Sequence, residues 1–167
     1  MQKSQEYLFS TILLLAFLHM PVLACLAQES TLIDAARNNQ QSLVSDLLSS
    51  GADPNARQGD GATALHWAAH RNNEEVAQSL LDAGADAEVS NELGATPLWL
   101  AASNGSEPLV EKLLAAGASP NVRLKMGETP LMSASRAGSA GTVSLLLNAG
   151  ADVNAVEDER GQTALMW

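Results

Sequence analysis

Beyond residue 28 the chain repeats itself every 33 residues, and this constrains its fold more than any other feature. Gly-Ala falls at 51, 84, 117 and 150, and Leu-Leu at 47, 80, 113 and 146, always four residues before its Gly. A third mark, Gly-x-Thr-x-Leu, begins at Gly61, Gly94, Gly127 and Gly161, where the run VEDER stretches the last interval to 34. Its Leu has a further partner at Leu32, 33 residues before Leu65. Self-similarity of this length is the mark of stacked units, each burying its neighbour's apolar face, rather than of one globular core.

Each unit reads as two short helices and a loop. ALHWAAHR follows Thr63 and stops at Asn72-Asn73, and the equivalent turn positions hold Asn39, Gly105 and Gly138. Asn and Gly tolerate the left-handed conformation that closes a helix. In EEVAQSLLDA, Val76, Leu80 and Leu81 form one apolar stripe that ends at Gly84. Ser106 is expected to cap the second helix of the third unit, with Pro108 in its first turn, where a missing N–H costs little. Helices shorter than roughly 12–15 residues are marginal alone, so stability has to come from stacking. The Ala-Ala pairs at 35 and 36, 68 and 69, and 101 and 102 permit close helix contact.

The residues that carry these marks resemble the ankyrin repeat family. The family pattern G-x-T-P-L-H-x-A-A followed by V-x-x-L-L-x-x-G-A-D-x-N is met by GATALHWAA with SLLDAGAD, by GATPLWLAA with KLLAAGASPN, and by GETPLMSAS with LLLNAGADVN. The resemblance spans residues 30–167 and implies an all-α repeat solenoid of stacked helix-turn-helix repeats with β-hairpin-like finger loops. The units are about 30–59, 60–92, 93–125 and 126–160, with a partial fifth at 161–167. The family's motif His, which ties neighbouring turns, survives at His66, whereas Trp99, Met132 and Met166 stand at the equivalent positions. There apolar packing is expected in place of the polar network. The first unit has Thr31 and Asp34 at capping-box spacing and is rich in Asn, Gln and Ser, as an N-terminal cap should be.

Residues 1–27 stand apart from the repeats. One Lys in MQKSQEY, then LFSTILLLAFL, then HMPVLACLA before the polar QES have the layout of a signal peptide cut after Ala27, which implies an exported protein, periplasmic or secreted. Two rival readings stay open: a lipoprotein signal with acylation at Cys25, or an uncleaved anchor, because 7–27 is uncharged over about the length of a membrane span. Cys25 is the single cysteine, so no disulfide framework exists within one chain. The net charge is −10, and it stays so without residues 1–27, because Lys3 and Glu6 leave together. Nucleic acid and anionic lipid surfaces are bound through Lys and Arg, so neither is an expected partner, and after cleavage no membrane insertion is expected.

Chemistry has few actors. The best metal candidate is the pair His66 and His70, which i and i+4 spacing places on one helical face. Asn72-Asn73 should end that helix before Glu74, and His66 has its structural explanation in the motif. No metal site, cofactor or catalytic group is expected. Nucleophile elbows, phosphate-binding Gly loops and zinc-protease helices are absent, and Asp158-Glu159 reads as a solvated loop tip. Asn104-Gly105-Ser106 is a formal glycosylation sequon, but the unit also needs that Asn-Gly as its helix-to-helix turn.

In the ankyrin family the binding surface is the row of finger tips with the exposed ends of the first helices. Carried over position by position, it gives Asp60, His70, Arg71, Glu92, Leu93, Asn104, Lys125, Met126, Arg136, Glu159 and Arg160 as partner-binding residues. These vary between units while the framework does not. The implied function is a non-catalytic protein-interaction scaffold whose partner is another protein. The alternative is the binding or regulatory segment of a larger exported enzyme. Arg71, Arg123, Lys125 and Arg136 make the middle units basic, which suggests an acidic or mixed-charge partner segment. Because Gly161–Trp167 aligns with Gly61–Trp67, the chain reads as truncated within a fifth repeat, with fraying from Gly161 onward and self-association expected.

Overall fold

A computed structural model describes residues 32–167. The leader at residues 1–27, Cys25, and Thr31 of the N-terminal capping box lie outside the described residues. The rest is a stack of helix pairs. The first helices of the pairs are α1 (32–37), α3 (Ala64–His70), α5 (Pro97–Ser103) and α7 (Pro130–Ala137). The second helices are α2 (Gln41–Ser49), α4 (Glu74–Asp82), α6 (Glu107–Ala115) and α8 (Ala140–Asn148). A short 3-10 turn, Ala164–Met166, follows. First helices pack on first helices, α3 on α5 and α5 on α7, and second helices on second helices, α2 on α4, α4 on α6 and α6 on α8. Two helical layers result, with the core between them.

The turn residues act as their chemistry demands. Asn39 and Asn72 take φ of 61° and 55°, and Gly105 and Gly138 take 66° and 70°, so the left-handed turn falls at one place in every unit. Asn73 then caps α4 by accepting the Val76 amide at 3.0 Å, and Ser139 caps α8 by accepting that of Thr142. Ser106 departs from expectation: it sits at the N-cap of α6, but its Oγ is buried without a hydrogen-bond partner among the described residues. Pro108 does lie in the first turn of α6.

Leu65, Leu98, Leu80, Leu113 and Leu146 are fully buried, together with Val44, Val76, Leu109 and Val110. The pairs Ala35 and Ala36, Ala68 and Ala69, and Ala101 and Ala102 are also inaccessible, because a methyl lets the helices approach where a larger side chain would wedge them apart. Each large buried side chain contributes about 1.5–3 kcal/mol relative to exposure.

The β-hairpin-like fingers are not there: no β-strand occurs among the described residues. The four loops at 57–62, 90–95, 123–128 and 156–162 are tight turns. In the second, Asn91 N–H donates to the Ala95 carbonyl at 3.0 Å and Gly94 N–H to the Asn91 carbonyl at 2.9 Å, with Gly94 at φ 82°. The first and third repeat this pattern from Gln58 and Leu124, and the fourth makes it from Glu157 across one extra residue. Successive loops are joined at their tips by one backbone bond each: Glu92 to Asp60, Lys125 to Leu93, and Asp158 to Met126. Two bonds within a turn and one to the next turn are too few for the alternating pairs that make a ladder.

Candidate functional site: the turn-loop row and the first-helix ends

The fixed part of this surface begins at His66. Thr63 N–H can only donate, and it reaches His66 Nδ1 at 3.1 Å, so the neutral ring carries its proton on Nε2 and donates it to the Ala95 carbonyl of the next unit at 3.1 Å. Burial pushes the His66 pKa down, partly opposed by that bond to Ala95. Both ring nitrogens are therefore engaged, while His70 is exposed and meets Trp67 edge to face at 5.9 Å. The two histidines do not converge on a ligand. Among the described residues no group of three or more His, Cys, Asp or Glu could hold a metal ion. At the three equivalent positions the apolar replacements behave differently: Met132 is fully buried, the Trp99 Nε1 is buried without a partner, and Met166 is 66% exposed, so the apolar packing expected in place of the His is not made there.

The loops are closed from inside by side chains. Asn91 accepts the amides of Leu93 and Ala95, both at 3.0 Å, through one oxygen. At the corresponding place in the longer fourth loop stands Glu157, which reaches the amides of Glu159, Arg160 and Gln162 at 2.7, 2.8 and 3.0 Å. The extra methylene of Glu suits the extra residue of VEDER. Hydrogen bonding to the Gln162 amide, then to those of Glu159 and Arg160, pulls the Glu157 pKa down. Asp60 is likewise lowered by the Ala62 amide and by Gln58. In the third loop Leu124 offers no such acceptor.

Neighbouring loops are clamped by an Asn and an Arg. Asn55 donates to the Gly84 carbonyl and accepts the Asp86 amide, and Arg57 donates to the Ser90 carbonyl at 2.6 Å. Thirty-three times two residues on, Asn121 does the same with Gly150 and Asp152, and Arg123 with the Val156 carbonyl at 2.8 Å. Between the second and third loops the equivalent residues are Glu88 and Ser90, and neither side chain makes a clamp. Sequence reasoning passed over Arg57 and Asn91 and took Arg123 only as part of a basic middle, although Arg57 and Arg123 stand at one repeat position and pointed to a shared task.

The expected partner-binding residues divide into two groups. Asp60, Glu92, Leu93, Lys125, Met126, Glu159 and Arg160 are exposed on the loop tips, brought into one row by the tip-to-tip backbone bonds. His70, Arg71, Asn104 and Arg136 lie at the ends of first helices, and three of these are already engaged. Arg71 Nε donates to the Arg37 carbonyl at 3.0 Å. Asn104 Nδ2 donates to the carbonyls of Ala69 and His70. With Ser106 buried as well, the sequon serves as the turn between α5 and α6.

Nor do the arginines form a free basic patch. Arg123 pairs with Asp158 at 3.0 Å, and Arg136 pairs with Glu128 at 2.9 Å while lying 4.9 Å above the Trp167 ring. Arg37 pairs with Asp34 and lies 4.5 Å above Trp67. Arg37 and Arg136 hold the same repeat position, and so do Trp67 and Trp167, so one Arg-over-Trp contact links the first unit to the second and the fourth to the closing turn. A groove of about 530 Å³ lies at that end, lined by Leu131, Val143, Leu147, Val153, Leu165 and Trp167.

A family profile described as ankyrin repeats in three copies matches residues 32–123 and again 101–167. No curated protein matches the chain. No helix among the described residues is long and apolar enough to cross a membrane. With its 33-residue units, its stacked helix pairs and this match over the whole described length, the chain belongs to the ankyrin repeat family.

Proposed function

We propose that the chain is a non-catalytic protein-interaction scaffold, exported by its leader to act in the periplasm or outside the cell, and that its partner is another protein seated on the turn-loop row. One observation carries this reading. The buried positions repeat from unit to unit, whereas the exposed tips change from Asp60 to Leu93 to Met126 to Arg160. Leu93 and Met126 are 67% and 62% exposed, a place for two adjacent large apolar side chains that internal packing does not explain. The pairing of Arg123 and Arg136 with carboxylates moves the expected contact away from a basic centre and onto the tips themselves.

A photo-crosslinking residue at Leu93 or Met126, compared with one at Glu111 on the second-helix face, tests the placement. Adducts with a discrete partner are expected from the tip positions. Adducts arising equally or only from Glu111 would sink it. Export rests on the composition of residues 1–27. N-terminal sequencing of protein recovered outside the cytoplasm should begin at Gln28, and a cytoplasmic chain starting at Met1 would overturn that part.

A further inference from the structure

Asn104-Gly105, the turn between α5 and α6, is the only Asn-Gly pair in the chain. The pair is chemically labile: glycine has no Cβ to shield its nitrogen, so in a flexible segment that nitrogen can close on the carboxamide carbon of the preceding Asn. The fold holds the two groups apart. Asn104 has φ −84° and ψ −8°, which turns the Gly105 nitrogen away from the Asn104 side chain, and the Gly105 N–H donates to the Ala102 carbonyl at 3.0 Å. The carboxamide is drawn the other way, onto the end of α3, where its Nδ2 donates to the carbonyls of Ala69 at 3.0 Å and His70 at 3.1 Å. Both partners are acceptors, so only the amide –NH2 can serve there. This tie shares its side of the joint with the Lys112 bond to Gln78 at 3.0 Å. One repeat earlier Arg71 spans the preceding joint by its bond to the Arg37 carbonyl, and one repeat later Ala137 has no donor to offer. Asn104 is nonetheless exposed to water.

We propose that Asn104-Gly105 is a modification site: a deamidation switch that the tie between α5 and α3 holds off, and that leaves this joint loosened once it has acted. When the joint opens, the Gly105 nitrogen loses its proton and attacks Asn104 Cγ. A C–N bond forms, the Cγ–Nδ2 bond breaks, and ammonia leaves with that proton. Water then opens the cyclic imide, giving Asp where it adds at Cγ and isoaspartate where it adds at the Asn104 main-chain carbonyl. Water enters, ammonia leaves, and nothing is oxidised or reduced. Neither product can donate to Ala69 and His70, because a carboxylate offers only acceptors to two carbonyl oxygens. Isoaspartate also lengthens the main chain just before Gly105, whose φ of 66° and bond to Ala102 set the turn. The intact fold protects the site, and the modified site no longer supports the fold. The end of α3 that loosens carries His70 and Arg71, so the reaction reaches the helix-end side of the candidate surface.

The test incubates the whole chain in mildly alkaline buffer, folded and in denaturing urea, and follows the peptide containing Asn104 by mass spectrometry and isoaspartate content. Conversion should be at least about tenfold slower in the folded chain, because the reaction waits on local opening. Asn104→Asp, which copies one product, should lower Tm by about 3–6 °C and speed hydrogen exchange at the Gly105 and Ser106 amides. Asn104→Arg, which copies Arg71, keeps a donor for the His70 carbonyl, so it should hold the parental Tm and give no conversion product. Equal conversion in the folded and unfolded chain, a parental Tm and exchange pattern in Asn104→Asp, or an Asn104→Arg chain as unstable as Asn104→Asp overturns the inference. If Asn104→Asp does not fold, the rate comparison and Asn104→Arg decide it.

Discussion

The joint between the second and third turn loops and the joints on either side of it are built from the same backbone but fastened differently. On the flanks, Asn55 with Arg57 and Asn121 with Arg123 each reach across to carbonyls and an amide of the next unit. In the middle, Glu88 and Ser90 leave the union of the loops to one backbone bond between tips and to the helices below, and Trp99, at the His66 position, makes no tie there. Yet the helices of that unit are fully packed, with Leu98, Leu109, Val110 and Leu113 all fully buried. A repeat stack can thus be held tightly at its helices and loosely at its loops in the same unit. Stability is a sum over neighbouring interfaces, so one row of contacts can vary without loss of the other.

The largest expected effect tests the tight half of that contrast. Leu98→Ala should cost about 2–5 kcal/mol in urea unfolding, because it leaves a cavity among helices on both sides. Leu131→Ala, beside the open groove at the last unit, should cost less, since that site can relax. Equal losses would show that the middle core is no better packed than the end.

The loose half is tested at the clamps. Asn121→Ala removes two hydrogen bonds between loops and should cost about 1–2 kcal/mol, whereas Glu88→Ala at the same repeat position should change stability by less than about 0.5 kcal/mol. Comparable values would remove the distinction between the joints. Hydrogen exchange should likewise be faster for the Lys125 amide than for that of Asp86.

His66 adds a further polar tie to the joint between the first and second loops, and with it a pH signature. Burial holds its folded-state pKa below the unfolded value, so a proton binds the unfolded chain more readily. The His66 contribution is complete above the unfolded value of about 6.5 and diminishes as the pH falls from there toward the folded value. His66→Met, copying Met132, should flatten that part of the stability profile, and an unchanged slope would assign the titration elsewhere. The smallest effect is at the far end. Arg136→Gln should cost about 0.5 kcal/mol and alter the Trp167 fluorescence, since the guanidinium lies over that ring.

Much of the helical frame was legible because stacking imposes a period, and period is what a sequence displays. Asn39, Asn72, Gly105 and Gly138 announced the left-handed turns, and the buried Leu positions followed from spacing alone. The loops were less legible. Gly-x-Thr marks a turn, but whether its arms pair as strands depends on how many backbone bonds neighbouring loops exchange, and they exchange one. The candidate surface was half legible: its tips could be placed by register, but the engagement of Arg71, Asn104 and Arg136 could not. A side chain's register says which face it occupies and nothing about whether a carboxylate or carbonyl waits there.

The amino-acid sequence by itself therefore determined the repeat, the two-helix unit, the core and the family, since these follow from local propensity and apolar spacing repeated in step. Only the tertiary structure decided that the loops are turns, that Arg123 and Arg136 are matched by Asp158 and Glu128, and that the middle joint is without its clamps. The clamps and the Arg123 pair depend on residues about 33 apart meeting in space, and the Arg136 pair on a helix end meeting the loop before that helix, where hydrogen bonds of 2.6–3.0 Å are made or missed by the placement of a few atoms.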